Sequence, residues 1–141
     1  MNKKINNNTF CKYFNIYYQN VQSIVNKYDE FVENVNLSVI NYDIIILTET
    51  WCKDRDTDRM FDNIDYNIYR CDRDTEGGKT RSGGVLTLIS KKYNAEIIYK
   101  QNKNYEILIK LLKTKNKNLI IINVYFPPIP DPAYYVEFIV I

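Results

Sequence analysis

Apolar residues along the 141-residue chain follow two different periods, and each change of period marks a new element. The stretch "KYFNIYY" (12–18) is dense in aromatic and β-branched residues, which predicts a first strand. From Val21 to Leu37 the residues Ile24, Val25, Tyr28, Phe31, Val32 and Val35 recur at helical spacing, which predicts an amphipathic helix. "DIIIL" (43–47) is apolar without a break, the pattern of a strand covered on both faces. A strand–helix–strand unit places its two strands parallel, so both end on one edge of the sheet. Asn20 and Glu49, each just past its predicted strand, are expected on that edge.

Further strands are predicted at "YNIYRC" (66–71), "VLTLIS" (85–90), "AEIIYK" (95–100), "YEILIKLLK" (105–113) and "NLIIINVYF" (118–126). The polar segments 52–65 and 72–84 read as loops, and "KTKNK" (113–117) as a hairpin turn. Asp131 reads as a helix N-cap, with Pro132 at the first helical position. The helix it announces stops at "FIVI" after two turns, so the chain is expected to be truncated relative to its natural domain. No internal repeat or interdomain linker is visible; 1–11 is a polar tail and 12–141 one partial domain.

Composition narrows the class. A hydrophobic fraction of 45% with 26% charged residues fits a soluble globular protein, and the length fits one domain. A net charge of +2 implies no strongly charged partner. Lys, Asn, Ile and Tyr are all abundant and all have A/T-rich codons, so the lysines are no evidence of nucleic-acid binding. Cys11, Cys52 and Cys71 are odd in number and widely spaced, which points to a reducing compartment.

The sequence contains no histidine, which excludes zinc sites built on His, Ser–His and Cys–His nucleophile pairs, and an imidazole base. No secretory h-region is present, and no apolar run reaches the roughly 18 residues of a membrane helix. A soluble, intracellular protein with no membrane partner is expected, in which the sequons at Asn7 and Asn36 have no role.

Two motif-like stretches fail on inspection. "DRDTD" (54–58) opens like a calcium loop, but Arg59 stands where Gly is needed and Asp65 where Glu is needed. "GGKT" (77–80) ends like a phosphate-binding loop, but Arg73 replaces its first glycine and a strand follows instead of a helix.

Three polar residues share one placement at the end of an apolar run. Asn20 closes "YFNIYYQN", Glu49 closes "DIIILTE", and Tyr125 closes "IIINVY". Ligands of open α/β sheets bind outside the carboxyl ends of strands. A carboxylate there suits a hard cation such as Mg²⁺, a carboxamide can orient it, and a phenol can donate to a phosphate oxygen. That chemistry serves metal-assisted phosphodiester hydrolysis. Taken singly, Glu49 reads as a solvated turn residue, Asn20 as a helix N-cap and Tyr125 as a core aromatic with a wet hydroxyl. The three in this order favour the site.

At these residues the chain resembles the endonuclease/exonuclease/phosphatase superfamily, also called deoxyribonuclease-I-like. The likeness is nearest to the endonuclease domain of non-LTR retrotransposons. The matching pieces are "YYQNVQSI" (17–24), "YDIIILTETW" (42–51), "RSGGVLTLIS" (81–90) and "LIIINVYFPP" (119–128), in family order over most of the chain.

The resemblance implies an α/β fold, the N-terminal half of a four-layer α/β/β/α sandwich, and cleavage of phosphodiester bonds with Mg²⁺ or Mn²⁺. It implies that Glu49 binds the metal, that Asn20 supports it, and that Tyr125 faces the scissile phosphate. Arg81, Gly83 and Gly84 match a motif entering a strand, where a structural role is expected. It also implies DNA as partner and, for a retrotransposon protein, a nuclear location. An inositol-phosphate phosphatase and a lipid phosphodiesterase belong to the same superfamily and stay open.

The family's later G-D-x-N and serine–aspartate–histidine motifs are not in this sequence. The isolated chain is therefore expected to be inactive. Most of it is expected to form one mixed sheet with a covering helix. The apolar face so exposed would promote self-association or capture of a partner supplying the missing half. A non-catalytic interaction module and a decayed gene fragment are the rival readings.

Overall fold

The computed structural model describes residues 13–53, 58–62, 64–74, 82–115, 117–128 and 131–139. The expected polar tail (1–11), Arg81, and the stretches 54–57 and 77–80 lie outside the described residues.

The fold is α/β with two sheets. The first contains β1 (Ile16–Asn20), β2 (Ile44–Thr48), β3 (Tyr66–Cys71) and β4 (Val85–Ser90) in the order β1-β2-β4-β3. Here β1 and β2 run parallel, as the strand–helix–strand pattern predicts, and the other pairs are antiparallel. The second sheet is an antiparallel meander of β5 (Asn94–Gln101), β6 (Glu106–Lys113) and β7 (Asn118–Tyr125). Helices α1 (Tyr28–Leu37) and α2 (Pro132–Ile139) complete the described elements, with short 3-10 turns at Val25–Lys27 and Asp58–Phe61.

This corrects the expectation that most of the chain forms one mixed sheet. The last three strands separate from the first four and pack across them. Ile44 and Ile89 of the first sheet share a core with Leu112 and Ile121 of the second. Cys71 and Val85 share another with Leu108. The inner face that would have been exposed is therefore largely buried by the chain's own strands.

Strand β2 has both faces covered, as its unbroken apolar run predicts. Ile45 and Leu47 face α1 and pack with Phe31, Leu86 and Leu88, while Ile44 faces the second sheet. The α1 side of the core also takes Val21, Ile24, Cys52, Phe61 and Ile64.

Two boundaries differ from the sequence pattern, and both differences matter for the site. The first strand is Ile16–Asn20 and not 12–18, so Asn20 lies inside the strand, opposite Thr48 in the register. The regular helix starts at Tyr28 and not at Val21. Residues 21–24 spend their backbone donors elsewhere: Val21 N–H donates to Thr48 O (3.0 Å), Ser23 N–H to Glu49 O (2.9 Å) and Ile24 N–H to Thr50 O (3.0 Å). A helix would need those conformations for itself, and Gln22 and Ser23 instead take φ of 45° and 83°.

At the opposite end of the first sheet, buried Asp43 knots three segments. It accepts from the Asn15 N–H and the Tyr93 hydroxyl, each at 2.9 Å, and pairs with Lys92. Burial alone would raise its pKa, but these donors outweigh burial and hold the carboxyl below its ordinary value. Asp131 caps α2 as predicted, accepting the Ala133 N–H at 2.9 Å. That helix packs Phe138 and Tyr135 around Phe126 and Tyr105.

Candidate active site

The two sheets bring Asn20, Glu49 and Tyr125 together on one oxygen atom. Asn20 ends β1, Glu49 follows β2 directly, and Tyr125 ends β7. Glu49 Oε1 accepts a hydrogen bond from Asn20 Nδ2 (3.0 Å) and another from the Tyr125 hydroxyl (2.9 Å). Glu49 Oε2 accepts none from the described residues. The N-cap alternative for Asn20 does not hold, because the turn that follows has no side-chain cap.

Glu49 sits in the left-handed region with φ of 54°, and Trp51 does the same at 56°. A non-glycine residue there is held against its own preference and persists only where its surroundings fix it. The surroundings are backbone on both sides. On one side lie the donations from residues 21–24. On the other, Thr50 N–H donates to Gly84 O (3.3 Å) and Trp51 N–H to Gly83 O (3.0 Å).

Gly83 and Gly84 are needed for this contact. Their φ values are 75° and 84°. A Cβ on Gly84 would lie 2.5 Å from Thr50 Oγ1, and one on Gly83 would lie 2.6 Å from Arg73 Cζ. The motif entering β4 is thus the wall against which the Glu49 loop is laid.

Tyr125 reaches Glu49 because the second sheet is bolted to the first just beneath it. Asn123, two residues earlier on the same face of β7, donates from Nδ2 to Leu47 O (3.3 Å), Leu86 O (3.0 Å) and Thr87 Oγ1 (3.2 Å). A buried carboxamide meeting two strands of the other sheet fixes the register between sheets. Burial, followed by the hydrogen bond to Glu49 and the nearby negative charge, pushes the Tyr125 phenol up to about 12. It therefore remains a donor at neutral pH.

No family model matches the chain, and no curated protein matches it.

Sequence reasoning missed a second tier. Arg73, weighed only as a misfit to a phosphate loop, donates from Nε to Glu106 Oε1 (2.5 Å), from Nη2 to Glu106 Oε2 (3.1 Å) and from Nη1 to Ser82 Oγ (2.8 Å). Glu106 is 1% exposed and stands directly opposite Tyr125 in the β6–β7 register. A signal for Glu106 exists in "EILIKLLK": it shares the inward alternation of Leu108 and Leu112, and a carboxylate facing a core needs a partner.

Among the described residues no group of three His, Cys, Asp or Glu side chains could enclose a metal ion. The donor set offered by the described residues is one carboxylate, with Oε1 taken by Asn20 and Tyr125. Mg²⁺ suits such a set, because it keeps several waters and is often bound by one or two carboxylates. The donor type, a carboxylate, is of the kind that Mg²⁺ takes.

Proposed function

We propose that this chain carries part of the site of a metal-dependent phosphodiesterase of the DNA-nicking, retrotransposon-endonuclease kind, and that the isolated chain does not cleave DNA. The fold would then be the N-terminal half of a four-layer α/β/β/α sandwich. The single observation that carries the reading is the convergence of Asn20 and Tyr125 on one oxygen of Glu49, with no described residue donating to the other.

Glu49 would hold Mg²⁺ or Mn²⁺ through Oε2, and Asn20 would keep the carboxylate from rotating away. A bound ion would supply Lewis-acid charge to a phosphoryl oxygen. Tyr125, protonated and close by, would donate to a phosphate oxygen if the phosphodiester displaced it from Glu49. These residues bind and orient. They supply no general base, and the sequence has no imidazole to serve as one. In-line hydrolysis also needs a positioned water and help for the leaving group, so a partial set is expected to lose most of the rate.

Trp51, the single tryptophan, lies two residues from Glu49 and gives a direct test. Mn²⁺ should quench its fluorescence saturably in the wild type and not in Glu49→Gln. Equal quenching in both proteins would sink the metal-site reading. A plasmid-nicking assay with Mg²⁺ should show no activity; robust nicking abolished by Glu49→Ala would show the isolated chain to be a complete enzyme.

A second reading, an association module, is favoured by one feature. Ile16 and Tyr18 on β1 are 52% and 63% exposed, and neither β1 nor β7, each last in its sheet among the described residues, carries a charged residue. Uncharged edges invite strand pairing. Size-exclusion chromatography with light scattering decides: a monomer at every concentration would dismiss it.

A further inference from the structure

We infer that Arg73 is a positioning residue for Glu49, bracing at once the two arms that hold its carboxylate. The first arm is the glycine turn. The guanidinium lies where a Gly83 side chain would be, 2.6 Å from the ideal Cβ position at both Cζ and Nε. The Gly83 carbonyl in turn holds the Trp51 N–H and so the far side of the Glu49 loop.

The second arm is the phenol. Arg73 Cζ lies 5.7 Å from the centre of the Tyr125 ring, and its carboxylate partner Glu106 is the residue paired with Tyr125 across the sheet. One planar cation thus fixes a turn of the first sheet and a strand end of the second. The fork geometry matters: three contacts leave in set directions from one rigid plane, which a lysine ammonium cannot reproduce. The bland alternative is an ion pair that only ties the sheets together. Under that role its loss would lower global stability and leave the Glu49 loop in place.

The geometry of the brace stands without the nuclease reading, although its use in placing a metal ligand rests on that reading. The test is acrylamide quenching and the emission maximum of Trp51, measured well below the unfolding temperature. Arg73→Met combined with Glu106→Gln removes the brace without leaving a buried charge unpaired. Arg73→Lys keeps the charge and loses the fork. Asp43→Asn, at the opposite end of the first sheet, serves as the purely structural control.

Both Arg73 proteins are expected to show quenching constants raised by about twofold or more, as a locally released loop should. The control should unfold at lower temperature with wild-type quenching. Folded Arg73 variants with wild-type emission and quenching would overturn the brace. So would loss of the whole fold in both, since a local brace leaves the rest of the sandwich standing. Mn²⁺ titration of the same wild-type protein keeps the two ideas apart. Failure of Mn²⁺ to quench removes the metal reading alone, and unchanged acrylamide quenching removes the brace alone.

Discussion

The Tyr125 hydroxyl donates to Glu49 Oε1 across 2.9 Å, joining the ends of two strands that belong to different sheets. Burial, then this bond and the charge of Glu49, keep the proton on the phenol, pushing it up to about 12 from an ordinary value of 10.0. Above pH 10 the unfolded chain loses that proton and the folded one keeps it. The stability linked to this raised value is therefore complete below about pH 10 and declines as pH rises toward 12. In ultraviolet pH titration Tyr125 should ionise among the last tyrosines. Glu49→Gln should bring it closer to the ordinary value, identified by its absence in Tyr125→Phe.

Lys110 should produce the opposite pH dependence. It is fully buried on the inner face of β6, with no hydrogen-bond partner for Nζ among the described residues and the Tyr69 ring against it. Burial pushes the amine down to about 7. Between about pH 7 and 10.5 the unfolded chain holds a proton that the folded chain lacks, so stability rises with pH. Cys71, pushed up to about 11 by burial, opposes this only above its ordinary 9.0. Urea unfolding should give a rising stability from pH 7 to 9. Lys110→Met should flatten that rise and stabilise the protein by on the order of 2–4 kcal/mol at pH 7.

Asp43→Asn should weaken the far end of the first sheet. The carboxylate accepts two hydrogen bonds and an ion pair in a buried position. Removing its charge should cost about 2 kcal/mol at neutral pH. Its pKa is lowered in the folded state, so the stability it contributes is present above the ordinary carboxyl range and lost as pH falls through the folded value. Thermal melts should show the wild type and variant converging as the solution is acidified.

Gly84→Ala tests the wall behind the Glu49 loop. The new methyl would meet Thr50 Oγ1 at 2.5 Å, on a residue whose φ is 84°. Strain and clash together should cost about 2–4 kcal/mol. The emission of Trp51 should move with it, because the displaced residue is its neighbour. A variant with wild-type melting temperature and emission would show the contact to be unimportant.

Much of the fold was legible from local pattern. The strands 66–71 and 85–90 fall where β-branched and aromatic runs predict them, and the Asp131–Pro132 start signal opens a helix. The helix boundary at Val21 was not legible. Apolar spacing continues through Val21 and Ile24, which are both buried. Nothing in that spacing reveals that their backbone donors go to residues 48–50. The division into two sheets was likewise hidden, since an apolar strand reads the same whichever sheet it joins.

By itself the sequence determined that Asn20, Glu49 and Tyr125 would each stand at the end of an apolar strand, because strand period and polar termini are local properties. Only the tertiary structure decided that they meet on one carboxylate oxygen, that Glu49 takes a left-handed backbone, and that Arg73 and Glu106 lie behind them. Those facts depend on how one sheet is laid over the other, held by such contacts as Asn123 on the carbonyls of Leu47 and Leu86. Interactions spanning 76 residues of chain, as the Tyr125–Glu49 bond does, leave no period in the sequence from which they could be read.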